Sequence, residues 1–484
     1  MGKNKIDLTE YIKRGEELSF SKRVRLVLML SIPSIMAQIS SIIMQYIDAA
    51  MVGRLGADGS AAIGLVSTTC WMFGSLAYAL TTGYSVQVAH AIGAGKKEKA
   101  KCIVGQALFA VLMWAVFLMF AGTFLSGSLP RLLGADPRIH QNASDYFFIY
   151  AAFLPVAALN SLASGILQCS GNMKTPGILN SLKCFLDILF NAFFIFPSHA
   201  LYMGKVKIVL PGLHMGVAGA ALGTAAAELF VAVVLFYCVW IKKFSLHKMH
   251  IRKDCFRKGY LRKAIKISLP VGFEHFVVCA AQITSTKIVA PLGIVAIAAN
   301  SFGITAEALC YMPGYGIADA ATTLVGQGIG AKKENVAKYF AKISTMIGMV
   351  LMSAMAVIMF FAAPYIMAML SADAKVVALG TKILRIEMFA EPMYAASIVA
   401  SGALRGAGDT FVPSLMNFGS IWLVRMPLSY LLSLSVGLRG MWFAMCIELI
   451  FRGSIFLYRL FKVRWWEKQK TEYNRKKKES FKKL

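Results

Sequence analysis

Apolar residues in this chain fall in long blocks separated by short polar or basic segments, and the blocks recur from end to end. Each runs to about 20 residues or more, enough to cross a bilayer as an α-helix. Twelve spans are expected, over roughly 26–50, 60–89, 103–125, 142–168, 177–197, 216–241, 265–290, 295–325, 339–363, 376–404, 412–434 and 437–460. Apolar and polar positions do not alternate as in a β-barrel. Gly and Pro inside the blocks are compatible with membrane helices, where neighbours re-satisfy freed backbone groups. The pattern predicts an all-α, multi-pass membrane protein.

The pattern also repeats itself at an offset of 237 residues. Pro33 returns as Pro270, Gln45 as Gln282, and Ile92-Gly93-Ala94 as Ile329-Gly330-Ala331. Pro155 returns as Pro392, Gly171 as Gly408, Pro176 as Pro413 and Asn180 as Asn417. Six spans per copy is an even number, so both copies enter the membrane in the same direction, as parallel repeats do. Late in the copies the offset shrinks: Gly216 to Glu228 matches Gly437 to Glu448, leaving a longer outside loop over 198–214 in the first copy. The expected organisation is an N-terminal segment (1–25), a first six-helix lobe (26–241), a basic linker (242–264), a second six-helix lobe (265–460) and a basic tail (461–484). Segment 7–25 has the character of an interfacial amphipathic helix.

Charge orients this arrangement. The formal net charge is +27, which in a soluble protein would suggest nucleic acid. Its distribution points to the membrane instead. With the N-terminus inside, only Arg54, Arg131, Arg138, Lys205, Lys207, Lys375, Lys382 and Arg439 fall in outside segments; most of the other basic residues fall inside. That bias predicts cytoplasmic termini in a cell (plasma or inner) membrane, with the basic tail on anionic lipid rather than DNA. The first 25 residues are polar and charged, so no cleavable signal peptide is expected. Hydrophobic content of 57% and a mean hydropathy of +0.62 agree with a membrane protein. The nine cysteines show no CxxC or metal spacing and read as small core hydrophobes, implying no disulfide framework. Gly93-Ala94-Gly95-Lys96-Lys97 and Gly330-Ala331-Lys332-Lys333 lack the GxxxxGK[ST] spacing and read as helix caps. Leu404 to Thr410 reads as a cytoplasmic turn whose Arg405 and Asp409 tie helix ends together. No HExxH, GxSxG or clustered His/Asp motif lies in the spans, so an enzyme is not expected, and no pore-loop signature suggests a channel.

Candidate chemistry lies in carboxylates that the repeat does not copy. A charge at mid-bilayer costs about 2.5–3.5 kcal/mol on insertion scales. Asp48, Asp187, Glu274 and Glu391 lie within spans, and their counterparts at the repeat offset are Ser285, Val424, Ala37 and Leu154. The scaffold therefore folds without a carboxylate at each position. Asp187 and Asn191, four apart, share a face of the fifth helix. With Asp48 in the first span, Asn160 in the fourth and Thr224 in the sixth, they form an oxygen set suited to Na⁺ or a shared proton. Static hydrogen bonding is the competing reading. Gln38, Gln45, Gln282, Glu274 and Glu391 are candidates for lining a substrate path. In the second copy Glu387 and Glu391 share a face beside Pro392, with Arg385 and Arg425 as candidate neutralisers; function and buried ion pairing both stand. Glu448 and Arg452 are expected to pair within one helix. Abundant Met and Phe would suit varied apolar cations. No cofactor beyond a coupling ion, and no obligate protein partner, is implied.

At these residues the chain resembles the multidrug and toxic compound extrusion (MATE) family. The resemblance rests on Gln45-Tyr46-Ile47-Asp48 with Gly53-Arg54-Leu55-Gly56, on Ile92-Gly93-Ala94-Gly95, and on Tyr311-Met312-Pro313 with Gly326 to Ala331. Gly402 to Thr410 resembles the family too. It implies twelve helices in two six-helix lobes around a V-shaped cleft, and export of organic cations in exchange for Na⁺ or H⁺. The family's first-helix aspartate falls on Asp48. Many relatives carry Asn-x-x-x-Asp in the fifth helix, whereas this chain has Asp187-x-x-x-Asn191. In another branch the seventh-helix acid falls eight residues after the helix proline; that place is Val278 here, with Glu274 a turn earlier. A lipid-linked oligosaccharide or lipid II flippase of the same superfamily is the alternative. It would favour a cationic cavity, which the acids of this chain oppose.

Overall fold

The computed structural model describes residues 19–203, 206–240, 255–463 and 465. Of the interfacial helix expected over 7–25, residues 7–18 lie outside these residues, as do most of the basic linker and nearly all of the basic tail, while 20–25 form the start of the first long helix instead. The first copy comprises α1 (Phe20–Gly53), α2 (Ala57–Gly93), α3 (Lys97–Ser126), α4a (His140–Ala152), α4b (Leu154–Cys169), α5 (Lys174–Ile195) and α6 (Gly216–Trp240). The second comprises α7 (Lys258–Val289), α8 (Ile294–Gly330), α9 (Glu334–Leu370), α10a (Ala374–Glu387), α10b (Glu391–Gly406), α11a (Phe411–Gly419), α11b (Met426–Val436) and α12 (Leu438–Lys462). A π-helical stretch, Ser420–Arg425, joins α11a to α11b.

Among the described residues ten helices are long and apolar enough to span a membrane, and the pair α4a/α4b, bent by 44°, makes an eleventh. The twelfth, α10a with α10b, carries Lys375, Lys382, Arg385, Glu387 and Glu391. Both broken spans open just before a repeated proline, Pro155 and Pro392, whose preceding residue is biased away from helix. Several helices outrun the bilayer. At 1.5 Å per residue α1 is about 51 Å long, against a hydrocarbon core of about 30 Å, so its ends stand in the interfaces or beyond. The long loop between α5 and α6 is not irregular: Pro197–Met203 (β1) and Val206–Leu213 (β2) pair as an antiparallel hairpin.

Each lobe packs its own core. In the first, Phe73 meets Phe147 edge-on at 5.5 Å within a cluster drawn from α2, α3, α4a, α4b and α6, to which α7 adds Ala264. In the second, the Trp442 indole of α12 donates to Asn300 Oδ1 of α8 at 3.0 Å. The lobes touch most closely where α2 crosses α8. A Cβ on Gly93 would stand 2.0 Å from the Gln327 carbonyl oxygen, and one on Gly330 would stand 2.2 Å from that of His90. The two repeated Ile-Gly-Ala segments are thus each other's partners. His90 Nε2 donates to Gly406 O at 2.8 Å, and Gln327 Nε2 donates to Cys169 O at 2.8 Å. The caps read from the sequence are present. Gly95 takes φ +72°, and its repeat partner Lys332 takes φ +60° without being glycine.

Two expectations are corrected here. Cys102, at the start of α3, and Cys255, just before α7, form a disulfide 153 residues apart in sequence. The first turn of α7 and the residue before it are fastened to the first lobe by Gln106 Nε2 donating to Arg257 O and Gln87 Nε2 donating to Tyr260 O, each at 3.2 Å. Cysteine spacing carries no trace of that approach. The turn after α10b is tied down by Asp409 pairing with Arg459 of α12. Arg405 turns the other way, toward Tyr78 of α2, Glu274 of α7 and Asp319 of α8.

Candidate functional site

Two helices, α1 and α5, bring Asp48, Asp187 and Asn191 together. The Asn191 amide donates to Asp48 Oδ1 at 2.8 Å and to Asp187 Oδ2 at 2.9 Å. Asp187 and Asn191 share a face of α5 because they lie four residues apart, and both are fully buried. Asp48 reaches them from the C-terminal third of α1. The close fit of α6 depends on a glycine: a Cβ on Gly223 would stand 2.0 Å from Asn191 Oδ1. Thr224, the next residue, neighbours Asp187 from that helix. Asp187 Oδ1 and Asn191 Oδ1 have no hydrogen-bond partner. Buried oxygens normally find one, so this pair is available to a cation or a proton.

Asn160 does not join this pair directly. Its amide donates to Glu228 Oε1 of α6, leaving Asn160 Oδ1 unpartnered. Glu228 Oε2 accepts from Lys183 Nζ at 2.9 Å. Lys183 lies one helical turn before Asp187, and Glu228 one turn after Thr224. Neither entered the site as read from the sequence, although both signals were visible: a lysine inside a span and a glutamate that the second copy repeats as Glu448. An aromatic cavity of about 350 Å³ opens nearby, lined by Trp71, Tyr78, Tyr146 and Tyr150. Tyr146 neighbours both Asp48 and Asp187.

The second lobe holds a different acid cluster. Glu307 of α8, absent from the sequence reading, lies against Glu387 of α10a, with Glu391 of α10b beside them. All three are buried, and the oxygens of Glu387 and Glu391 have no hydrogen-bond partner. Arg425 and Arg452 face Glu307. Arg385 does not neutralise the cluster as expected: its Nε donates to Phe360 O at 3.1 Å and its guanidinium lies over the Phe360 ring. Arg385 lies on α10a, before the break that precedes Pro392. Glu274 stands apart, accepting from Ser414 Oγ at 3.1 Å and Asn417 Nδ2 at 2.7 Å. The Glu448–Arg452 pair is present, with Nε 3.1 Å from Oε1. Of the other polar candidates, Gln38 neighbours Asp319, whereas Gln45 and Gln282 are exposed on α1 and α7.

The helix α1 links this chemistry to the other lobe. Two residues before Asp48, Tyr46 donates its hydroxyl to Thr305 O of α8 at 2.8 Å. Lower down, a Cβ on Gly316 of α8 would stand 2.6 Å from the Ile35 nitrogen. Pro33 interrupts α1 between these contacts and its basic end.

Known proteins share this architecture over nearly its whole length. A probable multidrug resistance protein NorM of Thermotoga maritima is 25% identical over 443 residues, 90% of this chain and 92% of that protein. The multidrug resistance protein MdtK of Edwardsiella ictaluri is 24% identical over 465 residues, covering 93% and 96%. A MOP superfamily transporter from Pyrococcus furiosus superposes with a TM-score of 0.86 at 19% identity, covering 96% of this chain and all of that one. The MatE family model matches twice, over residues 33–193 and 270–431. The two matches begin at Pro33 and Pro270, the same prolines that mark the internal repeat. With both halves matched by one family model, the chain belongs to the MATE family of transporters.

Proposed function

We propose that this transporter is a secondary active multidrug antiporter, expelling amphipathic organic cations in exchange for H⁺ or Na⁺ by alternating access. The observation that carries the reading is the hydrogen-bonded set of Asp48, Asn191 and Asp187, in a lobe whose repeat partner has no carboxylate at those positions. One amide holds two carboxyls, and unpartnered oxygens of Asp187 and Asn191 complete a hard-oxygen environment suited to a monovalent cation or a proton. Arrival of positive charge draws α1 toward α5. Its departure leaves two like charges in a low-dielectric site, where repulsion is strong.

The movement has somewhere to go. Pro33 gives α1 a break in its ladder, and Tyr46 carries displacement at Asp48 to α8 of the other lobe. The lobes meet tightly at the end of the bundle bearing Lys96, Lys97, Lys332 and Lys333. With both termini in the cytoplasm of a plasma or inner membrane, that contact is the inner gate and the arrangement faces outward. The aromatic cavity beside the carboxyls supplies a surface on which cationic rings can stack.

The test is uptake of ethidium into inside-out proteoliposomes under an imposed pH or Na⁺ gradient. Wild type is expected to concentrate the dye under one gradient, which names the ion, and Asp48→Asn to lose the response. Transport by Asp48→Asn at the wild-type rate would refute the proposal. Failure of any gradient to move ethidium would favour a lipid-linked substrate.

A further inference from the structure

The two lobes carry the same buried glutamate but neutralise it differently. Glu228 and Glu448 occupy matching places on α6 and α12. At the repeat offset Lys183 corresponds to Ser420, and both reach the glutamate: Ser420 Oγ donates to Glu448 Oε1, as Lys183 Nζ donates to Glu228 Oε2. In the second lobe the cation is Arg452, four residues along the glutamate's own helix. Ala232 stands at that place in the first lobe, so the cation comes from α5 instead. There it lies one turn from Asp187, on the same helix face.

Resting on the antiport reading above, we propose that Lys183 is an internal competitor for the coupling cation, and that Glu228 is the carboxylate that keeps it off Asp187. An ammonium on a four-carbon stem reaches a carboxylate one turn away. Glu228 pairs with it at 2.9 Å, and the pair is largely buried, with side-chain exposures of 18% and 15%. Burial makes this pairing matter, because a charge withdrawn from water must find a partner. Asp187 therefore has two bidders for its negative charge, the arriving ion and its own neighbour. The charged and titratable groups facing Asp187 among the described residues are Asp48 from α1, Glu228 from α6 and Tyr146 from α4a, with Lys183 and Cys184 on its own helix. Glu228 also accepts from Asn160, so it orients that amide while it holds the lysine.

The role predicts effects of opposite sign, which a purely structural pair would not give. Lys183→Gln removes the competitor, so half-maximal coupling is reached at a Na⁺ or H⁺ concentration about tenfold lower, since an opposite charge at this range changes carboxylate affinity by roughly that much or more. Glu228→Gln releases the ammonium onto Asp187 and shifts the half-maximal concentration the other way. The double variant follows Lys183→Gln, because no ammonium remains to release. Lys183→Arg keeps the charge and stays within about threefold of wild type on the same scale. The assay is ethidium transport in proteoliposomes, with Na⁺ titrated at fixed pH and pH titrated without Na⁺, and Asp48→Asn alongside. Shifts of the same sign, or no shifts, in variants that fold like Lys183→Arg would overturn the inference while Asp48→Asn still loses coupling. Undiminished coupling in Asp48→Asn would instead overturn the antiport reading on which it rests.

Discussion

The first lobe gathers its carboxyls around an amide, whereas the second gathers them around arginines. In the first, Asn191 bridges Asp48 and Asp187, and the neighbouring cation, Lys183, is held away by Glu228. In the second, Arg425 and Arg452 face the Glu307–Glu387–Glu391 cluster, and Arg452 also neutralises Glu448 from the same helix. Two copies of one scaffold thus show which parts are structural. A glutamate on the sixth helix of each copy is common to both. The aspartates of the first copy are additions, and additions to a scaffold that folds without them are where a transport function is expected to reside. The backbone differs as well: α5 is regular where Lys183 and Asp187 stand, whereas their counterparts Ser420 and Val424 lie in the π-helical Ser420–Arg425.

The comparison can be broken at several points, in order of expected effect. Asp187→Asn should lower gradient-driven ethidium transport about 100-fold or more while leaving the protein folded, measured as initial uptake rates; a loss of this size corresponds to about 3 kcal/mol of coupling. Arg452→Gln should do the reverse, leaving Glu448 buried without its cation. Removing one partner of a buried pair costs about 3–5 kcal/mol, so the thermal midpoint of the purified protein should fall markedly. Gly93→Ala should loosen the contact between lobes, because its new Cβ meets the Gln327 carbonyl at 2.0 Å. Overpacking costs about 1–3 kcal/mol, so thiol labelling of Thr323→Cys, buried at that contact, should rise about tenfold. The smallest effect belongs to the exposed loop pair Asp136–Arg138. The Arg138 guanidinium holds the Asp136 carboxyl below its usual range. Its contribution is present at neutral pH and is lost as pH falls, yet an exposed pair contributes little, so Asp136→Asn should leave both transport and thermal midpoint unchanged.

Much of this arrangement is legible in the order of residues. Block length and the repeat offset predict the spans and the two copies, and they mark the repeated Pro155 and Pro392, beside which the fourth and tenth spans break. Helix periodicity puts Asp187 beside Asn191. The rest depends on which helices become neighbours, and periodicity says nothing about that. Lys183 meets Glu228 only because α5 packs against α6, and Glu307 meets Glu387 only because α8 packs against α10a. Arg385 lies two residues before Glu387, yet helical geometry sends it to Phe360 on α9. The Cys102–Cys255 bond likewise depends on the segment before α7 folding back across the first lobe. Of the polar side chains offered for the substrate path, Glu274 is engaged by Ser414 and Asn417, a contact that depends on α7 packing against α11a.

The central claim is that cation and substrate compete through Asp48 and Asp187. It is tested most directly by measuring ion release when ethidium binds to the detergent-solubilised protein, as protons in weakly buffered solution or as Na⁺ from protein preloaded with it. The account predicts one cation released per ethidium bound by wild type, and none by Asp187→Asn. Undiminished release by Asp187→Asn would contradict it.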